Sequence, residues 1–266
     1  ITERDIATIP SVSRGIADFA RVTPQAQITE GNDGFSISLG GQNNRYNAIY
    51  IDGAVNNDVF GLAGSGTNGG QTGVNPFSVD AIESFQINLA PFDVRQSGFS
   101  GGSVNAVTRS GSNNWEGSVY GFLRNESLAG KTPVDLTNEG DEREKLAEFS
   151  AKTYGIRIGG PIIEDKLFFF ANYERQDDET PQPFTFSNYQ GRSSEADIAN
   201  LASFLQSEYG YNPGIFDNNT RTLESDKINL RLDWNINENH KVSIRQGIVE
   251  ATNLEARNSG ERGIGF

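Results

Sequence analysis

The sequence has no cysteine, no methionine and only one histidine, His240. Without cysteine the chain has no disulfides, thiolate metal sites or thiol nucleophiles, which is typical of an exported protein that folds without covalent cross-links. His240 lies in a short polar segment, and no nucleophile and carboxylate are spaced with it as a catalytic triad requires. We therefore predict that the protein is not an enzyme, and that it uses no cofactor and no metal.

The chain also has few basic residues and no long apolar run. It contains 22 Lys and Arg against 35 Asp and Glu, which gives a net charge of −13. Because no basic stripe is present to displace counterions from phosphates, we expect no nucleic-acid partner. No run approaches the ~20 apolar residues of a membrane-spanning helix. A transmembrane β-strand needs only about 9–11 residues, apolar at alternate positions, so the low hydropathy is compatible with a β-barrel.

Residues up to about 112 mix helical and extended patterns, which predicts a small α+β domain. The segment Ser11–Pro24 is predicted as a helix whose apolar face contains Ile16, Phe19, Ala20 and Val22. Strands are predicted at Phe35–Leu39, at Asn47–Asp52, at the end of Val79–Ala90, and at Ser103–Arg109. The glycine-rich segment Gly53–Gly73 is predicted as a long, mobile loop with no packed core of its own.

From Trp115 onward apolar residues alternate with polar ones, which is the pattern of a sheet with one wet face. The segments Ile228–Ile236 and Val242–Val249 alternate in this way, and they place Arg231 and Arg245 on the polar face. We predict antiparallel strands at about 115–125, 149–160, 166–176, 225–236 and 241–252.

The connections between these strands alternate in length along the chain. Residues 126–148 and 177–224 form long, acidic connections, whereas residues 160–166 and 237–241 form short turns. Long loops outside the cell and short turns in the periplasm are typical of an outer-membrane barrel. Because five strands cannot close a barrel with an even strand number, we expect the chain to be a fragment of a longer protein.

Two further segments have a predicted role. The Gly- and Ser-rich residues 109–114 are predicted as a hinge that leads from the α+β domain into the first barrel strand. Within the second long loop, Glu195–Gly210 has apolar residues at helical spacing and is predicted as an amphipathic helix.

Several segments carry a resemblance to a known family. Ser36–Asp58 (SISLGGQNNRYNAIYIDGAVNND) and Val79–Gly111 are similar to two segments of the plug domain of TonB-dependent outer-membrane receptors. Together with Gly159–Glu174 (GGPIIEDKLFFFANYE), they most resemble the Oar-like branch of that family. The resemblance implies a plug at residues 1–112 folded inside a transmembrane β-barrel of about 22 strands. Residues 113–266 would then be the N-terminal part of the barrel, with about five strands.

The resemblance also implies a function and a location. Such a receptor captures a ligand at the cell surface and imports it through the plugged barrel, in the outer membrane of a Gram-negative bacterium. Its partners would be outer-membrane lipid and a TonB-type energy-coupling protein, which acts through an N-terminal segment not seen here. No TonB box is recognisable, so an alternative stays open. This is a structural or accessory barrel subunit of an outer-membrane assembly, secretion or adhesion complex, with a surface lipoprotein or other subunits as partners. A soluble, secreted β-rich binding protein is a second alternative.

The resemblance places one set of candidate ligand residues at the plug apex. These are Asn56, Asn57, Asp58, Asn68 and Gln71, whose polar side chains could contact a captured ligand. The competing interpretation is that Asp, Asn and Gly simply form turns here. Their spacing matches no calcium-binding loop, so no metal is assigned to them.

A second set of candidates lies on the polar faces of the strands. Arg157, Arg231 and Arg245 would face the lumen of a barrel, where they could pair with plug carboxylates or contact an anionic ligand.

Overall fold

The computed structural model describes residues 1–9, 11, 14–31, 34–89, 94, 96, 99–133, 142–217, 219–255 and 259–265. Parts of four predicted segments lie outside these residues: Val12 and Ser13 of the first helix, Ala90 of the segment that begins at Val79, residues 134–141 of the first long loop, and Asn218 of the second long loop. The chain has two compact units. The first contains Ile1–Gly121, Thr153–Gln176 and Ser225–Ala251, and the second contains Phe122–Lys152, Asp177–Glu224 and Thr252–Phe266. The predicted plug–barrel boundary at residue 112 stays a prediction.

The helices are α1 (Glu3–Thr8), α2 (Ile16–Ala20) and α3 (Glu195–Tyr209). The strands of the N-terminal region are β1 (Ala26–Gly31), β2 (Gly34–Leu39), β3 (Ala48–Ile51), β4 (Ala54–Val55), β5 (Ile82–Asn88) and β6 (Ser103–Thr108). The long strands that follow are β7 (Glu116–Asn125), β8 (Ser150–Ile163), β9 (Leu167–Gln182), β10 (Asn219–Asn237) and β11 (His240–Leu254).

The N-terminal region contains two small sheets and an apolar core. Strands β4, β3, β6 and β5 form a four-stranded sheet in that order, in which β3 and β6 are parallel and the other pairs antiparallel. Strands β1 and β2 pair antiparallel in a separate sheet. The side chains of Phe19 and Phe85 stack in the core, with ring centroids 5.4 Å apart. Both lie in one buried cluster with residues of α2, β2, β3 and β6.

Four of the predicted strands are present at β2, β3, β5 and β6, whereas β1 was not predicted. Its sequence, AQITEG, is short and contains a single large apolar residue, so its alternation is weak. The first helix is shorter than predicted. Since α2 ends at Ala20, Val22 lies beyond it and is 50% exposed, so its assignment to the apolar face was wrong.

Strands β7 to β11 form one five-stranded sheet in which each strand pairs with its neighbour in sequence. Short turns join β8 to β9 and β10 to β11, so these neighbours are antiparallel hairpins. Strands β9 and β10 extend further than predicted, to Gln182 and from Asn219. The sequence prediction stopped where the apolar alternation stops, but backbone pairing continues through the charged segments.

The segment between β6 and β7 makes close contacts with the turn between β8 and β9. The side-chain amide of Asn113 donates to Asp165 Oδ1 (2.6 Å), and the Asp165 backbone N–H donates to Asn113 Oδ1 (2.8 Å). A Cβ added at Gly111 would lie 2.8 Å from the carbonyl oxygen of Gly160, and still closer to that of Phe169. The predicted hinge therefore packs directly on the backbone of the sheet.

Helix α3 confirms the predicted helix in the second long loop. Ser194 accepts a hydrogen bond from the Asp197 N–H, and Asp197 accepts one from the Ser194 N–H, so the two residues form a capping box. Gly210 ends the helix in a left-handed conformation. Among the described residues, no helix is long and apolar enough to cross a membrane.

Candidate functional site

Asp52 and Gly53 form the two-residue turn between β3 and β4. Their φ angles are +49° and +82°, and the hairpin pairs Ile51 with Ala54 on either side of the turn. Two residues with positive φ are typical of a type I′ turn, for which Asp-Gly is a favoured sequence. The turn directs the Asp52 carboxylate to the end of β6, where it accepts hydrogen bonds from Thr108 N–H (2.8 Å) and Thr108 Oγ1 (2.6 Å).

Two of the predicted arginines contact the same carboxylate. The Arg245 Nε atom lies 3.2 Å from Asp52 Oδ2, and the Arg231 Nη1 atom lies 3.7 Å from Asp52 Oδ1. Arg231 also donates to the carbonyl oxygen of Thr108 (2.6 Å) and forms an ion pair with Asp233 (2.8 Å). We name these five residues, Asp52, Thr108, Arg231, Asp233 and Arg245, the Asp52 cluster. In it, two cations from β10 and β11 converge on one carboxylate of the N-terminal sheet.

The third predicted arginine makes a similar contact nearer to β5. Arg157 donates from Nε to Ser118 Oγ (2.8 Å) and from Nη1 to the carbonyl oxygen of Asp80 (3.3 Å). All three arginines thus contact residues of the N-terminal region from the polar face of the sheet. Whether this face lines a barrel lumen stays a prediction.

A buried ion pair that was not predicted lies on the same face. Lys227 Nζ is 2.9 Å from Glu174 Oε1, and the two side chains are only 5% and 6% exposed. Glu174 Oε2 accepts further hydrogen bonds from Ser78 Oγ (2.7 Å) and Tyr120 Oη (3.1 Å). A buried charge is tolerated only when it is paired and hydrogen-bonded in this way. The signal in the sequence was the polar residues at alternate positions of β9, although their partners on other strands could not be read from it.

Two of the predicted apex residues, Asn57 and Asp58, accept hydrogen bonds from backbone N–H groups, of β3 for Asn57 and of the loop itself for Asp58. Asn57 Oδ1 accepts from the Ile49 N–H (2.8 Å). The Asp58 carboxylate accepts from the N–H groups of Ala63 (2.6 Å) and Phe60 (3.0 Å). The hydrogen bond from Ala63, with weaker ones from neighbouring amides, holds the pKa of Asp58 below its usual value. These side chains therefore stabilise the loop, as the competing interpretation expected.

The other predicted apex residues differ in exposure. Asn68 and Gln71 are exposed, and their side chains form no hydrogen bond within the described part of the chain. The Nδ2 atom of Asn56 is buried and has no hydrogen-bond partner among the described residues. Asn68 and Gln71 thus stay candidates for ligand contact by exposure alone.

The glycine-rich loop does have packed residues of its own, which corrects the prediction. Ala63, Ser65 and Thr67 are almost fully buried, and the hydroxyls of Ser65 and Thr67 are 2.7 Å apart. A Cβ at Gly70 would lie 2.5 Å from Thr67 Oγ1, so this glycine packs against them. The prediction counted large apolar residues, whereas small side chains and hydrogen bonds fill the interior of this loop.

The tip of the loop exposes apolar side chains that sequence reasoning missed. Val59, Phe60 and Leu62 are 82%, 80% and 65% exposed. The guanidinium of Arg45 lies beside the tip. A Cβ added at Gly61 would be only 3.2 Å from Arg45 Nη1. We name Arg45, Val59, Phe60 and Leu62 the loop-tip cluster. The available signal was the run VFGL within an otherwise polar and glycine-rich loop.

No metal centre is present in the described ranges, where no group of three or more His, Asp or Glu residues is arranged to hold an ion.

Comparisons with known proteins give consistent matches. Residues 107–203 match a family model described as an outer membrane beta barrel domain. The TonB-dependent transporter Oar of Myxococcus xanthus is 31% identical over 168 residues, which are 60% of this chain and 14% of that protein. A probable TonB-dependent siderophore receptor, PirA of Acinetobacter baumannii, is 26% identical over 189 residues, which are 66% of this chain and 22% of that protein. The chain thus spans only a minor part of the length of these relatives.

Solved structures match nearly the whole chain. The siderophore receptor PirA from Acinetobacter baumannii has a TM-score of 0.64 at 18% identity, and the match covers 98% of this chain and 32% of that one. A mutant of the ferric enterobactin receptor PfeA from Pseudomonas aeruginosa has a TM-score of 0.63 at 17% identity, covering 98% of this chain and 34% of that one. The chain therefore has the fold of an outer-membrane β-barrel protein with mostly antiparallel strands. It forms a partial, unclosed barrel.

Proposed function

We propose that this chain, which is similar to TonB-dependent outer-membrane receptors, is the plug and the first part of the barrel wall of an importer. Its place is the outer membrane of a Gram-negative bacterium, in accordance with the relatives and the family model. In this proposal residues 1–112 are the plug, and β7 to β11 are the first strands of a barrel wall. The whole protein would capture a ligand at the cell surface and release it into the periplasm.

The observation that carries the proposal is the Asp52 cluster. In it, β10 and β11 contact the N-terminal sheet through charged side chains on one carboxylate. The other contacts described above, from Arg157 to Asp80 and from Ser78 to Glu174, are also polar. A plug must be able to rearrange during import, and polar contacts can be exchanged for contacts with water. Apolar packing offers no such exchange, because exposing it costs about 25 cal/mol per Å².

The mechanism follows from these contacts. Ligand binding at the extracellular face would be followed by a pull on the plug from an energy-coupling protein of the inner membrane. Asp52, Arg231 and Arg245 would separate and become hydrated, which opens a path along the polar face of the wall. Partly exposed ion pairs of this kind contribute little individually, on the order of 0–1 kcal/mol when fully exposed, so they can be broken one at a time.

The alternative function is a structural or accessory subunit of an outer-membrane complex. The relatives carry the names transporter and siderophore receptor, which favours import over this alternative. Ferric siderophores are therefore the first candidate cargo to test. A coupling protein of the TonB type is the partner that the proposal requires, and a surface lipoprotein is an additional candidate.

The experiment compares a strain that lacks the gene with the same strain complemented by the full-length gene. Depletion of compounds from the medium is followed by mass spectrometry, with and without a protonophore that removes the energy supply. Import predicts that certain compounds disappear only from energised, complemented cultures. Equal depletion in both strains, with the protein recovered in a stoichiometric complex, would instead support the structural alternative.

A further inference from the structure

We propose that the outward face of β8 and β9 binds a lipid whose headgroup has a phosphate next to the bilayer and an ammonium group further out. This face of the two strands is opposite to the one that contacts the N-terminal region. The inference rests on the proposed barrel wall and its orientation, and it adds the chemical class of the bound lipid. It does not depend on import.

The first step in the argument is a cavity where four strands lead into the long loops. It has a volume of about 570 Å³ and is lined by residues of β7, β8, β9 and β10 and of the segments beside them. The whole lining belongs to the second compact unit. We name the following six of its residues the headgroup groove: Leu123, Glu126, Glu148, Phe149, Lys152 and Glu179. A cavity of this size accommodates a small ligand or the polar end of a larger one.

The second step is the face of the sheet on which the groove lies. Successive side chains of a strand point to opposite faces. Lys152 alternates with Arg157, and Glu179 alternates with Glu174, while Arg157 and Glu174 both contact the N-terminal region. The groove therefore lies on the outward face. Both β8 and β9 have their two neighbours in the described sheet, so further strands of a longer barrel would extend it at β7 and β11 and leave this face open.

The third step is the order of the outward residues along the two strands. Each strand has an apolar residue, a tyrosine, a cation and then, directly or one position later, a carboxylate. Along β8 and the segment before it, the outward residues are Ile156, Tyr154, Lys152, Ser150 and Glu148. Along β9 they are Ala171, Tyr173, Arg175, Asp177 and Glu179. Because tyrosine is typical of the membrane–water interface, the cation lies next to the bilayer and the carboxylate further out. A phosphoethanolamine headgroup has the complementary order of charges.

The fourth step is that the charges of the groove are not paired with one another. In the described part of the chain, Lys152, Glu148 and Glu179 form no ion pair and no side-chain hydrogen bond. Glu126 accepts one long hydrogen bond, from the Phe149 N–H (3.4 Å). One ammonium and three carboxylates thus line the cavity and are available to a ligand.

These charges also select the kind of ligand. A purely anionic headgroup is repelled by three carboxylates against one cation, since the Arg175 guanidinium is already paired with Asp226 (2.5 Å). No group of three His, Asp or Glu residues in the described ranges is arranged to hold a metal ion. An organic ammonium group donates up to three hydrogen bonds and requires no coordination geometry. The phosphate beside it would contact Lys152, and the apolar part of the lipid would contact Leu123 and Phe149.

The test is native mass spectrometry of the full-length receptor in detergent, titrated with single lipids. The first set of probes is phosphatidylethanolamine, phosphatidylcholine and phosphatidylglycerol, which share the phosphate. Phosphatidylcholine has no N–H on its ammonium group, and phosphatidylglycerol has no ammonium group. The second set is lipid A with and without phosphoethanolamine. We expect the phosphoethanolamine lipid of at least one set to bind about three- to tenfold more tightly than the other lipids of that set, which also identifies the lipid that carries the headgroup.

Two variants then separate the contact with the ammonium group from the contact with the phosphate. Glu148→Gln combined with Glu179→Gln should remove the preference within the set, because only the ammonium contact is lost. Lys152→Gln should weaken every lipid of the set by about threefold and retain the preference, because all of them contain the phosphate. Arg192→Gln and Glu208→Gln, which are exposed in the second long loop, are the matched controls and should bind as the unmodified receptor does.

Equal binding of all lipids within both sets would overturn the proposal, and so would a preference that the double variant leaves unchanged. The orientation of the wall is measured separately, by thiol labelling of loop and turn residues in intact cells. Equal lipid binding by a receptor with the expected orientation would reject this inference alone and leave the barrel wall and import standing. The reverse orientation would reject the order of charges on which the inference rests.

Discussion

At the scale of single residues, Asp52 has two roles that depend on different properties of its side chain. Its position in a left-handed turn needs a residue that tolerates positive φ, and both Asp and Asn do so. Its contacts with Arg231 and Arg245 need a negative charge. The substitution Asp52→Asn therefore removes the charge while it retains the turn.

We expect Asp52→Asn to lower the free energy of unfolding of the purified receptor by about 1–2 kcal/mol, because it weakens two partly exposed ion pairs, each worth about 0–1 kcal/mol, together with the hydrogen bonds from Thr108. The measurement is the midpoint of guanidinium unfolding in detergent micelles. Glu83→Gln, which removes the charge of an exposed carboxylate on β5 of the same sheet, is the control and should change the midpoint little. An Asp52→Asn midpoint equal to that of the unmodified protein would mean that the cluster contributes no stability.

Asp58 gives a prediction for pH at the same scale. Its pKa is lowered in the folded loop, mainly by the hydrogen bond from Ala63, so its contribution to loop stability is complete above the ordinary carboxyl pKa. That contribution is lost as the pH falls through the lowered value. We expect hydrogen-exchange protection of the loop amides to stay constant from neutral pH to about pH 4 and to decrease below it. In Asp58→Asn the protection should be lower throughout and should not change in the acidic range. The same acid response in both proteins would contradict the assignment.

At the scale of elements, the connection between β6 and β7 behaves as part of the sheet, because Gly111 packs against the backbone of β8 and β9. Backbone atoms cannot move aside as a flexible side chain can, so Gly111→Ala should cost about 1–3 kcal/mol by overpacking. Gly121 in β7 is the matched control, since a Cβ there meets nothing within 4 Å. We expect Gly121→Ala to be neutral or slightly stabilising in the same unfolding assay. Equal effects at the two glycines would mean that the connection is loose, as the hinge prediction assumed.

Strand β11 offers a second matched pair, in which neighbouring residues lie on opposite faces. Ile244 is exposed on the apolar face, and Ser243 donates to Asp233 on the polar face. If the apolar face contacts lipid, Ile244→Arg should cost about 2–4 kcal/mol near the bilayer midplane, whereas Ser243→Arg should cost much less. Refolding into lipid vesicles measures both. Asn229 on β10 is unsuitable as the polar-face control, because it is almost fully buried. Similar costs for both variants would mean that the faces are assigned incorrectly.

At the scale of the whole molecule, local patterns predicted the elements better than the contacts between them. Period-two alternation indicated four of the long strands and the start of β7, and the Ser194 cap with Gly210 defines α3 by local chemistry. The contacts of Arg231 and Arg245 with Asp52 join residues more than a hundred positions apart, so no local pattern specifies them. Asn57 and Asp58 were predicted to contact a ligand, but in the folded loop they accept hydrogen bonds from backbone N–H groups. No pattern in the sequence indicates these partners.

We expect the sheet to cross an outer membrane, with its long loops outside the cell and its short turns in the periplasm. The absence of native cysteine allows a direct test by cysteine substitution at two exposed positions, Asn200 in α3 and Asn239 in the turn between β10 and β11. The measurement is labelling of intact cells with a membrane-impermeant thiol reagent. Asn200→Cys should be labelled in intact cells, and Asn239→Cys should be labelled only after the outer membrane is permeabilised. The reverse pattern, or equal labelling of both in intact cells, would contradict it.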